Sequence, residues 1–242
     1  MKDILKIKNL NKNFGNNQVL SNFSYAFKEK TIYALMGANG SGKTTLFNLM
    51  SGFLSANSGE ILFKENPTQN LNPHQISNLG LSRTFQDMRL IPSLSVYDNI
   101  LLALKDKKSE KLLQAFLPQK ETLYKEEIEQ ILAQTHLTKV QTSKAQDISY
   151  GQQKLLNLAV AMANDFEFLL LDEPVAGVQP EYRAEILELI KGFNKTVIVI
   201  EHNPEFIESL TDNILFLDGG NIIAEGDYIT IKSNPQVQKA YL

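Results

Sequence analysis

Two short stretches of this sequence carry residues suited to phosphate chemistry. The first is Gly37-Ala38-Asn39-Gly40-Ser41-Gly42-Lys43-Thr44. Its glycines let backbone N–H groups converge on an anion without side-chain obstruction. A helix opening here adds the positive end of its dipole. Alone, such a stretch could be an ordinary glycine-rich turn. Following a strand and opening a helix, the Gly-x-x-x-x-Gly-Lys-Thr spacing cradles the phosphates of a nucleoside triphosphate. Lys43 then reaches the β- and γ-phosphates, and the Thr44 hydroxyl ligates Mg²⁺. Residues 37–45, with Thr45 the last, make up the expected nucleotide-binding loop.

The second stretch is Phe168-Leu169-Leu170-Leu171-Asp172-Glu173. It sets two acids at the carboxyl end of an apolar strand, where ligands bind in open α/β sheets. Alone it reads as a solvated turn. Beside a phosphate loop it supplies the second acidic strand such an enzyme needs for its metal. Asp172 suits Mg²⁺, and Glu173 suits a general base facing the attacking water.

The elements that must hold these residues can be read from apolar spacing. Residues 4–10 and 19–27 read as strands about a turn at Asn16-Asn17. Residues 31–36 form an apolar strand feeding the glycine-rich loop, 43–50 a helix and 59–63 a strand. The middle changes character. Residues 94–104 suggest a helix, and Lys105 to Glu110 reads as a charged turn or linker. Tyr124, Ile128, Ile131 and Leu132 recur at helical spacing, and residues 155–162 form another helix. The last third alternates again. Residues 168–171 and 196–200 are buried strands, the latter β-branched as in a parallel sheet covered on both faces. Between them, Tyr182, Ile186, Leu189 and Ile190 form the apolar face of a helix. Asn203-Pro204 opens a further helix, and residues 214–223 make a hairpin about Gly219-Gly220.

Bulk properties narrow the function. The 242 residues suffice for one large domain, and the net charge of −3 offers no basic field for nucleic acid. The absence of cysteine excludes disulfides and thiolate metal sites. The N-terminus lacks the apolar run of a signal peptide, and no window approaches the ~18 apolar residues that span a bilayer. The expectation is a cytoplasmic chain that serves a membrane only through partners.

The sequence Ile148-Ser149-Tyr150-Gly151-Gln152-Gln153, about twenty residues before the carboxylate pair, resembles the signature of ATP-binding cassette (ABC) ATPases. Gln86, in Arg83-Thr84-Phe85-Gln86, is similar to the family's Q-loop glutamine. His202 is similar to its switch histidine, and Phe14 to the aromatic that stacks on adenine. Taken with Asp172-Glu173-Pro174-Val175-Ala176-Gly177 and the tail from Asn234 to Leu242, these stretches resemble the ATPases of branched-chain amino acid importers and the related urea and amide importers. Lipopolysaccharide-export ATPases share part of the tail.

The resemblance implies an α/β P-loop NTPase core over residues 1–85 and 165–242. An N-terminal antiparallel β-subdomain belongs to it, and a helical subdomain is inserted at about 86–164. It implies ATP and Mg²⁺ as ligands, with Thr44, Gln86 and Asp172 at the metal and Glu173, His202, Gln86 and Lys43 in catalysis. It also implies a second ATPase subunit, identical or paralogous, whose site is completed in trans by Ser149, Tyr150, Gly151 and Gln152. Transmembrane permease subunits at the cytoplasmic face of the membrane and, indirectly, a periplasmic or extracellular binding protein complete the expected partners. The alternatives are a lipid or lipopolysaccharide exporter subunit and a soluble ABC ATPase. Two positions depart from the family pattern. Tyr150 stands where many members have a second glycine, and Val178-Gln179 stands where the D-loop usually ends in Asp or Asn.

Overall fold

The structure is a computed structural model. It describes residues 2–86, 88–108 and 121–240, with side chains for all of these except 105–108 and 121–123. In chain order its elements are β1 (Asp3–Phe14), β2 (Asn17–Lys28), β3 (Ile32–Met36), α1 (Lys43–Met50), β4 (Ser58–Phe63), β5 (Asn66–Pro67), α2 (Pro73–Asn78) and β6 (Leu81–Arg83). Next come α3 (Val96–Lys108), α4 (Glu121–Gln134), α5 (Tyr150–Ala163), β7 (Phe168–Asp172), α6 (Pro180–Lys191), β8 (Thr196–Ile200) and α7 (Pro204–Leu210). The chain closes with β9 (Ile214–Asp218), β10 (Asn221–Gly226), α8 (Tyr228–Ser233) and α9 (Pro235–Ala240).

These elements fall into two units. The first comprises Met1–Arg83, Glu167–Pro174 and Phe193–Leu242, and the second Thr84–Phe166 and Val175–Gly192. The first holds two sheets. An antiparallel sheet runs β2-β1-β4-β5, and a six-stranded sheet runs β10-β9-β3-β8-β7-β6. In the second sheet β9, β3, β8, β7 and β6 are mutually parallel, and β10 closes one edge as the antiparallel arm of a hairpin. The α/β class with an antiparallel β-subdomain therefore stands as the sequence suggests.

The strand sequences explain the layering. β7 and β8 are buried at every position, as apolar runs in a sheet covered on both faces must be. β1 instead buries Leu5, Ile7 and Leu10 and exposes residues between them. Phe23 and Phe27 of β2 and Phe63 of β4 are all about 1% exposed or less and join Phe168 of β7 in one core. Phe27 and Phe63 meet Phe168 edge-on, with ring centroids 5.9 and 6.1 Å apart, a favoured geometry for aromatic pairs. Fully burying each such side chain is worth roughly 1.5–3 kcal/mol. β1 runs four residues past the Leu10 that ends its apolar alternation. Register shifts between Ile7 and Asn13 break the period-two pattern that would have revealed the rest.

In the second unit α5 is the central helix, packed by α3, α4 and α6. α3 corrects one expectation: residues 105–108 are its last turn and not a linker. Charge alone does not end a helix, and Lys and Asp are tolerated there. The rest of the expected linker, residues 109 and 110, lies outside the described residues. α6, which the sequence reading left with the α/β core, groups here because it packs on α5.

Candidate functional site

β3 carries its apolar side chains into the core of the first unit and ends at Met36. Gly37 follows with φ 151°, and a β-carbon there would lie 2.2 Å from the Leu217 carbonyl oxygen. Only glycine lets the chain turn this close to β9. Gly40 and Gly42 also have positive φ, where side-chain-bearing residues are strained. Gly42 takes the N-cap position of α1 without a side-chain cap, so the helix start keeps its N–H groups for a ligand.

Lys43 is 7% exposed and folds back on the loop. Its Nζ donates to the Gly37 and Ala38 carbonyl oxygens at 2.8 and 2.9 Å. Burial lowers its pKa, while the nearby Glu173 and Asp172 carboxylates act to raise it. Ser41 Oγ is buried without a hydrogen-bond partner among the described residues. A buried hydroxyl left unmade is costly, and it suits a loop built to receive phosphate oxygens. Thr44, one residue into α1, is exposed.

β7 delivers the carboxylates. Asp172 is 7% exposed and pairs in register with Ile200 of β8, itself the partner of Leu35 in β3. The acid thus stands two strands from β3, which leads into the loop, with β8 between. Glu173 leaves the strand in the left-handed region, φ 50°, and its N–H donates to the Ile200 carbonyl at 2.9 Å. Non-glycine residues in this region cluster at functional sites. The turn aims Glu173 Oε1 at His202 Nε2, 3.6 Å away, just past the end of β8. Lys43, Asp172, Glu173 and His202 therefore meet at the carboxyl ends of β3, β7 and β8.

Among the described residues no group of three or more His, Asp or Glu side chains surrounds a single point. The donors present fit Mg²⁺ nonetheless. It is held by one or two carboxylates together with substrate phosphates rather than by an all-protein cage, and the Asp172 carboxylate and the Thr44 hydroxyl are donors of that kind.

Phe14 ends β1 and is 47% exposed, with Lys12 Nζ 5.0 Å from its ring centroid. The adjoining hairpin strand reaches the loop: Val19 approaches within 3.2 Å of the position a Gly42 β-carbon would take.

The remaining expected residues lie in the second unit. Gln86 is exposed. Ser149 is the N-cap of α5 in a capping box: it accepts from the Gln152 N–H at 3.3 Å, and its own N–H donates to Gln152 Oε1 at 3.0 Å. Ser149 Oγ also bonds Tyr182 Oη at 3.2 Å. Tyr150 is 45% exposed, with Lys154 Nζ 5.6 Å from its ring centroid. A β-carbon on Gly151 would lie 2.3 Å from the Tyr182 ring. Gly151→Ala is therefore expected to displace Tyr182 from Ser149 and to cost about 1–3 kcal/mol by overpacking. A thermal melt measures the cost, and an unshifted midpoint would show that the ring yields freely. Gln179, at the departing D-loop position, is the N-cap of α6 but makes no side-chain cap bond.

Arg83 had no assigned role in the sequence. Its guanidinium is buried, 3.2 Å from Asp172 Oδ2 and bonded to Asn48 Oδ1 at 2.5 Å and Ser51 Oγ at 3.2 Å. It ties the acidic strand to the helix that begins at Lys43. Removing one partner of a buried pair costs about 3–5 kcal/mol. Arg83→Met is expected to lose an amount in that range in urea unfolding, and a loss under ~1 kcal/mol would show the pair to be incidental.

Comparison with known proteins identifies the relatives of the whole chain. Residues 20–176 match the family model described as ABC transporter. A probable branched-chain amino acid transport ATP-binding protein LivG of Archaeoglobus fulgidus is 35% identical, over 99% of this chain and 95% of that protein. The high-affinity branched-chain amino acid transport ATP-binding protein LivG of Escherichia coli K12 is 32% identical, over 99% and 97%. A nucleotide-free ATP-binding cassette from an ABC transporter superposes with a TM-score of 0.85 at 28% identity, over 100% of this chain and 99% of that one. The ADP conformation of an ABC transporter cassette gives 0.84, also at 28% identity.

Proposed function

Because this chain belongs to the ABC transporter family as an ATP-binding subunit, we propose that it hydrolyses ATP at the site built from Lys43, Asp172, Glu173 and His202, and that the energy drives import of branched-chain amino acids. The observation that carries the first part is the Glu173–His202 pair at 3.6 Å, beside the loop that holds Lys43. The second part rests on the similarity, across nearly the full length of both chains, to proteins named for branched-chain amino acid transport.

The work is positioning and charge stabilisation, because phosphoryl transfer asks for little covalent chemistry. The loop N–H groups and Lys43 bind the phosphate oxygens, and Phe14 stacks on adenine. Asp172 and Thr44 would hold Mg²⁺, a role the family resemblance extends to Gln86, and the ion would neutralise charge on the terminal phosphates. Glu173 accepts the proton of the attacking water, and His202 holds water and carboxylate in register. Ser149 to Gln152 of a second ATPase subunit, a copy or a paralogue, close the site in trans. That helix start is pre-organised by its capping box. Among the described residues no helix is long and apolar enough to cross a membrane. As a subunit of a transporter the chain couples to permease subunits at the cytoplasmic face, served by a binding protein on the other side. Isolation of the intact membrane complex tests this reading. Its ATPase is expected to rise when a binding protein loaded with a branched-chain amino acid is added. A complex indifferent to every such ligand would remove the import assignment.

A further inference from the structure

One buried carboxylate at this site has no part in the steps above. Glu201 directly follows β8 and is 4% exposed. A carboxylate is rarely buried so deeply unless it is paired or hydrogen-bonded. Its side chain turns back on its own loop, and one oxygen, Oε2, accepts two consecutive backbone N–H groups. That of His202 lies at 2.8 Å and that of Asn203 at 3.2 Å.

The loop these bonds fix is only three residues long, from the end of β8 to Pro204, the first residue of α7. Its far end is fastened separately, because the Asn203 side chain caps α7 by accepting from the Phe206 N–H at 2.8 Å. Its near end is fastened by the Glu173 N–H on the Ile200 carbonyl. The backbone of His202 thus has a direct anchor in Glu201, while its imidazole, 46% exposed, approaches Glu173 at 3.6 Å. An exposed ring can hold a fixed place only if its backbone does.

We propose that Glu201 is a positioning residue for ATP hydrolysis: its buried carboxylate clamps the His202 and Asn203 N–H groups and so sets the imidazole against Glu173. This rests on the reading of His202 given above. The clamp acts on the backbone, so the acceptor oxygen matters and the charge is secondary.

Steady-state ATP hydrolysis by Glu201→Ala, Glu201→Gln, His202→Ala and the Glu201→Ala/His202→Ala double variant tests it. Misplacing a reacting group by about 1 Å can cost ~100-fold. Glu201→Ala is expected to lose about 10- to 100-fold in kcat, with KM for ATP within about threefold. Glu201→Gln, whose amide oxygen accepts the same two N–H groups, is expected to keep at least about a third of the rate. The double variant is expected to be no slower than His202→Ala alone, since residues that act as a unit are not additive. Should Glu201→Ala fail to fold, Glu201→Asp, one methylene short of the loop, replaces it with the same expectation. A normal kcat in the alanine variant, a Gln variant as slow as Ala, or an additive double loss would each overturn the proposal. His202→Ala at the wild-type rate would instead bring down the reading of His202 itself, and the clamp's catalytic role with it.

Discussion

Lys43→Ala is expected to lose tight ATP binding, by about 100-fold or more in a nucleotide titration. Each hydrogen bond to a charged group is worth about 1.5–3 kcal/mol, and every 1.4 kcal/mol is about tenfold in affinity. Lys43 is placed for more than one such bond. It is nearly buried, already bonded to two loop carbonyls, and lies close to both carboxylates of β7. Without it, a triphosphate meets a loop that still lies near the Asp172 and Glu173 carboxylates. The Ala variant should also relax the loop, since the Gly37 and Ala38 carbonyls lose their shared donor. An unchanged titration would mean that the loop does not hold phosphate.

Glu173→Gln is expected to separate binding from turnover. Glutamine keeps the size and the hydrogen-bonding reach of the side chain but cannot take a proton from water. A positioned base contributes about 10²–10⁴-fold, and a loss of that size should appear in kcat with ATP affinity retained. The ATP-loaded form should then accumulate as a two-subunit species on size-exclusion chromatography. The motivation is geometric: the left-handed backbone at Glu173 turns its carboxylate toward His202 and away from Asp172's buried pairing with Arg83. Near-normal turnover would move the base elsewhere.

What the sequence disclosed here was what is local in sequence. The helix from Lys43 and the strand at 196–200 sit where residue type and spacing put them, because a strand, a glycine turn and a helix start are written in neighbouring residues. The Ser149 cap was legible for the same reason: its partner Gln152 stands three residues on. Distance in sequence hid the rest. Arg83 and Asp172 are 89 residues apart, and β6, three residues long, shows no alternation that would mark it as a strand beside β7. Glu201 was hidden differently. Its partners are its immediate neighbours, but an acid after an apolar strand reads as solvated, and only its burial shows otherwise. α5 begins at Tyr150, five residues before its apolar face announces it, because its first turn is set by the cap and not by burial. The grouping of α6 with α5 has no local signature at all, since it depends on which face of α5 is open to receive it.

The central claim is that this chain turns over ATP, and the most direct measurement is phosphate release from Mg²⁺–ATP by the purified chain across a range of chain concentrations. The account predicts Mg²⁺-dependent release that vanishes in Glu173→Gln. It also predicts release per chain that rises with concentration at the dilute end, because in the proposed function Ser149 of a second subunit completes each site. Release that is absent at every concentration, or that persists unchanged in Glu173→Gln, would contradict it.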